Sequence, residues 1–565
     1  MTIEDIQSRF CKKEIAQILP ILQESNTRKS INLTGLAGSS YALLVAQLSK
    51  EIDQNQVFIL SSKERAAFFY NDIEKLLNDR DIALPNKRVH YLPSSYKRAH
   101  TANELDNSNV KLRAEIINKF SNHPDGSHIV VTYPEALAEK VVTTKFVQEN
   151  SFSIQKDSDI PTEIFLNFLY EFEYKQEDFV FEPGQFAWRG SIFDIFSYSE
   201  EYPYRIELDG DRVESIRFFN PETQLSIREE EIVHIMPQIA SHNIEEQRIP
   251  FLDFVPESTL LWLDNPKDIS AQIGHLYKTV KDEFAELDDT PKPFEDETKI
   301  IKDADLLFIK RSDFEQEIMN HKRCFVNAHD DETADLSLDF GMKPQNNFGR
   351  SFDYLFLEWI DNMEKGIKSI FLAESQSQLD RLFKIMLDML DKYNRHNDTQ
   401  YKIEPLYYPI RYLLHEGFRD ETRKIAIYTD HQFLEKFERI VIRDRYKKSE
   451  AFTLKEIYDL QPGDYVVHIN FGIGVYQGLE KTEIGGKEQE VIKLTYKDGD
   501  ILYVSIHSLH KISKYVGKDG TPPKVPRLRI GMSSVRNLIC VFVEVMMISP
   551  CDEVGRKSIM GEDVF

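Results

Sequence analysis

Ser30-Ile31-Asn32-Leu33-Thr34-Gly35-Leu36-Ala37-Gly38-Ser39-Ser40-Tyr41-Ala42-Leu43-Leu44-Val45-Ala46-Gln47-Leu48 reads as a short apolar strand, a Gly-rich turn and a helix with few polar positions. That order is the layout of a phosphate-binding loop, in which helix N-terminal amides face an anion. The alternation continues on both sides. Residues 11–24 place Ile15, Ile18, Leu19, Ile21 and Leu22 at helical spacing, and Gln56-Val57-Phe58-Ile59-Leu60 predicts a strand leading into a charged helix at 63–79. Arg88-Val89-His90-Tyr91-Leu92 and His128-Ile129-Val130-Val131-Thr132 predict two further strands. Strands alternating with helices imply parallel pairing and right-handed crossovers. The first third is α/β.

As a nucleotide site the loop is incomplete. A working one needs a lysine to reach the β/γ-phosphates and an adjacent Ser/Thr to hold magnesium. No lysine occurs between Ser30 and Leu48, and the positions that should supply it hold Gly38 or Ser39. Ser39 and Ser40 can still offer hydroxyls and helix N-terminal amides to an anion, so Gly35, Gly38, Ser39 and Ser40 are the candidate contacts of a degenerate nucleotide loop. The blander reading is a structural relic. Either way, hydrolysis at this loop is not expected.

The chain has 565 residues, enough for several domains, and 70 Lys plus Arg against 94 Asp plus Glu give a formal charge of −24. Such a surface does not attract nucleic acid or anionic lipid as a whole. A hydrophobic content of 41% with 37 Phe and 25 Tyr supports several filled cores and excludes wholesale disorder. The four cysteines, Cys11, Cys324, Cys540 and Cys551, lie far apart with no zinc-like spacing, which points to a reducing compartment. Met1-Thr2-Ile3-Glu4-Asp5 lacks the layout of a signal peptide, and the apolar run Asn537 to Ile548 is too short to span a bilayer and contains Glu544. The expectation is a cytoplasmic protein with no membrane contact.

From Phe179 the pattern changes to short alternating strands. Pro183-Gly184 and Asp209-Gly210 are turn signals, so a small antiparallel sheet is inserted between α/β segments. Arg189, beside Trp188 and Phe186, suits an exposed aromatic–arginine patch of the kind that anchors partners. The alternative is that the aromatics fill a core and Arg189 pairs with Asp194. Arg189-Gly190-Ser191-Ile192-Phe193-Asp194-Ile195-Phe196, with Tyr204-Arg205-Ile206-Glu207 and Asp211-Arg212-Val213-Glu214-Ser215-Ile216-Arg217, resembles the second domain of the excision-repair protein UvrB. It equally resembles the UvrB-homology module of bacterial transcription-repair coupling factors. In both families this domain docks the repair protein UvrA. The resemblance therefore implies an interface role for Arg189, with Phe186 and Phe193 in support. UvrB has an intact phosphate loop and a long hairpin after a segment like His90-Tyr91-Leu92-Pro93-Ser94-Ser95-Tyr96. This chain has no loop lysine and passes quickly to a polar helical stretch, Asn109 to Phe120, so it sides with the coupling factors. The alternative is a UvrB-like nucleotide-dependent DNA helicase.

Residues 281–305 and Asp330-Asp331-Glu332 are dense in carboxylates, but their spacing fits no calcium loop and they read as solvated faces or linker, with no metal. Lys368-Ser369-Ile370-Phe371-Leu372-Ala373 and Lys424-Ile425-Ala426-Ile427-Tyr428-Thr429 predict strands of a further α/β domain. Thr429-Asp430-His431 reads there as a turn and helix cap. Residues 454–519 predict about five short strands, as in an SH3/Tudor-like β-barrel, with a hairpin turn at Asp498-Gly499. Gly463-Asp464-Tyr465-Val466-Val467-His468, Gly472-Ile473-Gly474-Val475-Tyr476 and Leu502-Tyr503-Val504-Ser505-Ile506 resemble the RNA polymerase-interacting domain shared by CarD-like proteins and coupling factors. In that family an edge strand pairs with the polymerase β subunit. The resemblance puts that strand at Glu490, Val491, Ile492, Lys493 and Leu494, and alternation leaves open whether Ile492 faces the partner or the barrel core.

The resemblance divides the chain into a UvrB-like domain 1a at 1–145, domain 2 at 146–235, and domain 1b with the acidic linker at 236–345. A species-variable α/β domain follows at 346–450, the CarD-like barrel at 451–522 and a divergent tail at 523–565. In the full family a translocase driven by ATP and magnesium follows and tracks DNA. No GxxxxGK[ST] occurs in this chain, so no cofactor is expected in it, and residues from about 526 onward read as foreign or out-of-frame sequence.

Overall fold

The structure of the protein, a computed structural model, describes residues 2–24, 29–82, 86–96, 106–221, 224–239, 248–286, 303–328, 334–349, 351–402, 407–434, 460–468, 471–484, 487–505, 512–514 and 545–548. They divide into two compact units, Met1–Phe218 with Arg228–Ile442, and Phe219–Ile227 with Arg443–Phe565.

The larger unit is built on a parallel sheet of seven strands, ordered Leu336–Asp339, Ser30–Thr34, Lys322–Val326, Leu260–Asp264, Gln56–Ile59, Ile129–Thr132, Val89–Tyr91. The four strands expected from the first third are present. The other three arrive from beyond the inserted sheet. Strands such as Gln56–Ile59 and Leu260–Asp264 are buried along their whole length, as strands covered on both faces must be. Trp262 is fully buried, stacks on Phe58 at 5.3 Å and donates its indole N–H to Gln56 Oε1 at 3.1 Å, so its one polar atom is satisfied.

The helix Asn107–Asn122 covers one face of this sheet. Asp106 caps it, accepting from the backbone N–H groups of Ser108 and Asn109. Its buried side holds Val110, Ala114, Ile116, Ile117 and a guanidinium: Arg113 is 1% exposed. Arg113 donates to the carbonyls of Pro93 (3.0 Å), Ala136 (2.9 Å) and Glu139 (3.1 Å), and its Nε lies 3.4 Å from Glu139 Oε1. The other carboxylate oxygen of Glu139 accepts the Ser95 N–H at 2.8 Å. One buried ion pair thus fixes the turns after two strands.

The inserted sheet follows the sequence expectation. Gln185–Arg189, Ile192–Ile195, Tyr204–Asp209 and Arg212–Phe219 pair antiparallel in succession. The helix Thr162–Glu171 packs on one face, with Phe165 against Phe193 at 5.5 Å. The further α/β body has the expected parallel strands Lys368–Ala373 and Ile425–Thr429, flanked by the helices Phe352–Glu364 and Gln376–Asn397. Thr429-Asp430-His431 opens the short helix Asp430–Leu434. Ile370, Leu372, Ile410, Leu414, Phe418 and Ile427 of this body belong to one apolar cluster with Ile3, Phe10 and Leu36, so it shares a core with the first sheet.

In the smaller unit the strand order is Ile512–Lys514, Tyr465–His468, Gly472–Ile484, Lys487–Thr495, Ile501–Ser505, Val545–Ile548, all antiparallel. The densest acidic stretch, Asp330-Asp331-Glu332, the domain boundary near 450 and the tail apart from Val545–Ile548 lie outside the described residues.

Arg113→Met is expected to leave three buried carbonyls without this donor and the Glu139 carboxylate without its counter-charge, at about 3–5 kcal/mol. Urea denaturation followed by far-UV circular dichroism should show the larger unit's transition at lower denaturant. An unchanged midpoint would contradict the buried pair.

Candidate protein-docking sites

Antiparallel pairing fixes which side chains of the inserted sheet share a face. Ala187 pairs with Asp194 and Asp194 with Arg205, while Arg189 pairs with Ile192 and Ile192 with Glu207. Arg205 and Glu207 pair in turn with Arg217 and Ser215. With side chains alternating along each strand, Arg189, Asp194, Arg205, Glu207, Ser215 and Arg217 stand on one face.

That face is organised by Asp194, which is 1% exposed. Arg205 Nε and Nη2 bond its two oxygens at 2.7 and 2.8 Å, and Arg189 Nη2 joins Oδ2. Two guanidiniums on one buried carboxylate satisfy it fully. Arg189 also donates to Asp178 O at 3.3 Å and lies 4.8 Å over the Phe179 ring, with 39% of its side chain exposed. It is held in place yet open to a partner. Beside it, Arg217 pairs with Glu207, whose other oxygen accepts the Ser215 hydroxyl at 2.8 Å.

Two expectations fail here. Phe186 is 0% and Phe193 2% exposed, because both point to the opposite face, into the core under the helix Thr162–Glu171. Neither is a surface contact. The exposed aromatic is Trp188, 43% exposed, stacked on Phe193 at 5.3 Å with its N–H on Gly190 O at 2.8 Å. It stands on the core side, away from Arg189. The residues that share the face of Arg189 without having been expected there are Arg205, Glu207 and Arg217. Their alternation on both sides of the Asp209-Gly210 turn was the available signal.

In the smaller unit Lys487–Thr495 lies between Gly472–Ile484 and Ile501–Ser505, paired to both over Val491–Thr495. It is an interior strand there, with no edge to offer. Val491, Ile492 and Leu494 are at most 1% exposed, and Ile492 packs in the core with Val466, Tyr476, Leu502 and Val504. Lys493 faces out and pairs with Glu480 at 2.7 Å, while Glu490 continues the pairing opposite Lys481. The assignment of Val491–Leu494 as the partner-binding edge is therefore corrected, and Glu490 lies just outside the stretch paired on both sides. Strand centrality is a long-range property, and local alternation does not encode it.

The degenerate phosphate loop is occupied from within the chain. Ser39 N donates to Glu416 O at 2.9 Å, and Ser39 Oγ donates to Asp72 Oδ2 at 2.5 Å while accepting the Glu416 N–H at 3.0 Å. Ser40 Oγ accepts the Ala37 N–H at 2.9 Å. Both serines are buried, and Gly35 borders Asp339 and Gly341. The amides of Ser39 and Ser40 and the hydroxyl oxygens of both thus have protein partners. Burial pushes the neighbouring His415 imidazole down to about 4, with the His431 ring adding to the effect.

Among the described residues no group of three or more His, Cys, Asp and Glu is placed to hold a metal ion. No helix among them is long and apolar enough to cross a membrane.

Residues 152–240 match the family model of the UvrB interaction domain, and residues 460–516 that of the CarD-like/TRCF RID domain. Over 568 residues the chain is 25% identical to the transcription-repair-coupling factor of Bacillus subtilis, covering 88% of this chain and 46% of the relative. It is 23% identical over 554 residues to that of Staphylococcus aureus strain MSSA476, with the same coverage of 88% and 46%. The chain thus spans about half the length of the relatives it matches.

Ile492→Asp puts a charge in the core of the smaller sheet and is expected to unfold it, with loss of dispersed amide resonances, whereas Lys493→Ala should leave it folded. A folded Ile492→Asp sheet would return that residue to the surface. For His415 the folded value lies below the ordinary 6.5, so unfolded chains bind the extra proton in between. The stability this group contributes is complete above pH 6.5 and declines as pH falls towards 4. Its Cε1–H resonance should titrate near 4, and a midpoint near 6.5 would contradict its burial.

Proposed function

We propose that this chain, similar over 88% of its length to the N-terminal portion of the transcription-repair-coupling factors, is a docking protein of transcription-coupled DNA repair. It bridges stalled RNA polymerase to UvrA. The observation that carries the reading is the inserted sheet: the segment matching a UvrB interaction domain presents Arg189 half-exposed above the buried Asp194. A guanidinium fixed by a carboxylate it shares is preorganised for an acidic partner, which lowers the entropy lost on binding. UvrA is the partner this face serves.

The polymerase contact belongs to the smaller unit, through its CarD-like segment, and the β subunit is the surface proposed for it. We read that sheet as an SH3/Tudor-like barrel, and the protein as cytoplasmic. Its interior strand Lys487–Thr495 supplies the core, so the contact comes from elsewhere on the sheet. Translocation on DNA, dependent on ATP and magnesium, is implied for the full-length family, and we assign no step of it to the residues described. The rival helicase reading loses support at Ser39, whose N–H and hydroxyl bond Glu416 and Asp72.

Purified chain should retain UvrA in a pull-down, and Arg189→Ala should weaken that binding about 10- to 100-fold, the range for losing a charge-assisted contact. Trp188→Ala, on the other face, is the control and should bind as wild type. Equal retention by Arg189→Ala would remove this face from the interface. Binding of the polymerase β subunit is expected to survive both substitutions.

A further inference from the structure

The α/β body of residues 351–434 has no role in the docking reading, yet its loop Leu414–Gly417 makes a closely fitted contact to the first sheet. Both sides are shaped for it. Gly38 has φ +52, and a Cβ there would stand 2.5 Å from Gly417 O. At Gly417 a Cβ would meet Ile427 O at 2.1 Å and Gln432 Oε1 at 2.5 Å. Gly38 has no room for a side chain against the loop, and Gly417 has none against Ile427 and Gln432 of its own body, which lets the loop lie close on both sides. The loop is also braced from behind: Gln432 Oε1 accepts the N–H groups of Gly417 and Thr429, each at 3.2 Å.

Polar groups then join the two bodies. Asp72, 3% exposed, accepts the Ser39 hydroxyl on Oδ2 and the His415 N–H on Oδ1 at 3.0 Å. The His415 ring stacks on Phe68, and Leu414 is fully buried in the shared apolar cluster. Away from the loop, Arg423 bridges Glu14 at 2.5 Å and Asp420 at 2.6 Å, tying the helix Lys12–Gln23 to the same body.

We propose that the degenerate phosphate loop is an intramolecular socket. Leu414–Gly417 occupies the place of a phosphate and clasps the body of residues 351–434 to the first sheet. The chemistry favours this occupant over an anion. The N–H at the helix start meets a peptide carbonyl, which needs no counter-charge, whereas a phosphate would face the Asp72 carboxylate across a loop that carries no lysine of its own. The loss of the lysine and the gain of the loop are then one change: a neutral backbone ligand replaces a charged diffusible one. The body's role is to close that end of the sheet and to hold itself in register with it.

Hydrogen–deuterium exchange on the full chain tests the socket. In the wild type, the amides of Ser39, His415 and Glu416 should be protected. Magnesium pyrophosphate at millimolar concentration should leave their exchange unchanged. Ser39→Ala removes the bond to Asp72 and the acceptor for Glu416 N. It should speed exchange at His415 and Glu416 about 10-fold or more, with Val57 and Ile427 as protected as before. Two wild-type results would overturn the proposal whatever the variant does. One is a 415–417 loop exchanging as fast as an open chain; the other is pyrophosphate slowing exchange at Ser39 while speeding it at Glu416.

Discussion

Strand Ser30–Thr34 is paired on one side to Lys322–Val326 and on the other to Leu336–Asp339, so the first sheet is complete only when the far side of the insertion has returned. The Ser30 N–H reaches Asp335 Oδ2 at 2.9 Å, a bond between residues 305 apart in sequence. Closing so long a loop adds only about 0.6 kcal/mol per doubling of length, so burial of a central strand readily offsets it. Two consequences follow. The antiparallel sheet is anchored at both of its ends and can present a fixed face. The turn after Ser30–Thr34 is also walled by the returning chain, through Phe340 N to Thr34 O at 2.9 Å and Met342 N to Gly35 O at 2.8 Å. The socket that receives Leu414–Gly417 is shaped in part by Phe340 and Met342, far from Gly35 in the sequence.

What was legible in the chain was local. The alternation of strands and helices around Ser30–Leu48, the meander around Asp209-Gly210 and the strand Tyr465–His468 all carry their signal within a dozen residues, and they form as read. What failed depends on which element lies next door. Val491-Ile492-Lys493-Leu494 looks the same whether its strand is central or at an edge, and only its pairing to two neighbours makes Ile492 a core residue. Phe186 and Phe193 sit next to surface positions in sequence, yet strand parity sends them to the opposite face from Arg189. The strands Leu260–Asp264 and Lys322–Val326 escaped because short apolar runs far from their partners carry no mark of the sheet they complete. The loop's missing lysine was plain in the sequence. The replacement ligand was not, since nothing local connects Ser39 to Glu416.

Two buried carboxylates show why the overall charge of −24 says little about any one surface. Asp72 receives a hydroxyl from one side of the joint and a backbone N–H from the other, so the buried carboxylate links the two. Asp194 is met by the guanidiniums of Arg189 and Arg205, and each of these cations has part of its surface facing outward. On the same face Arg217 is paired to Glu207, so the guanidiniums there stand among carboxylates that hold them in place. Donors fixed in this way are what the proposed docking to an acidic protein surface would use. Asp72 thus joins two parts of one unit, while Asp194 holds guanidiniums that are partly open to solvent.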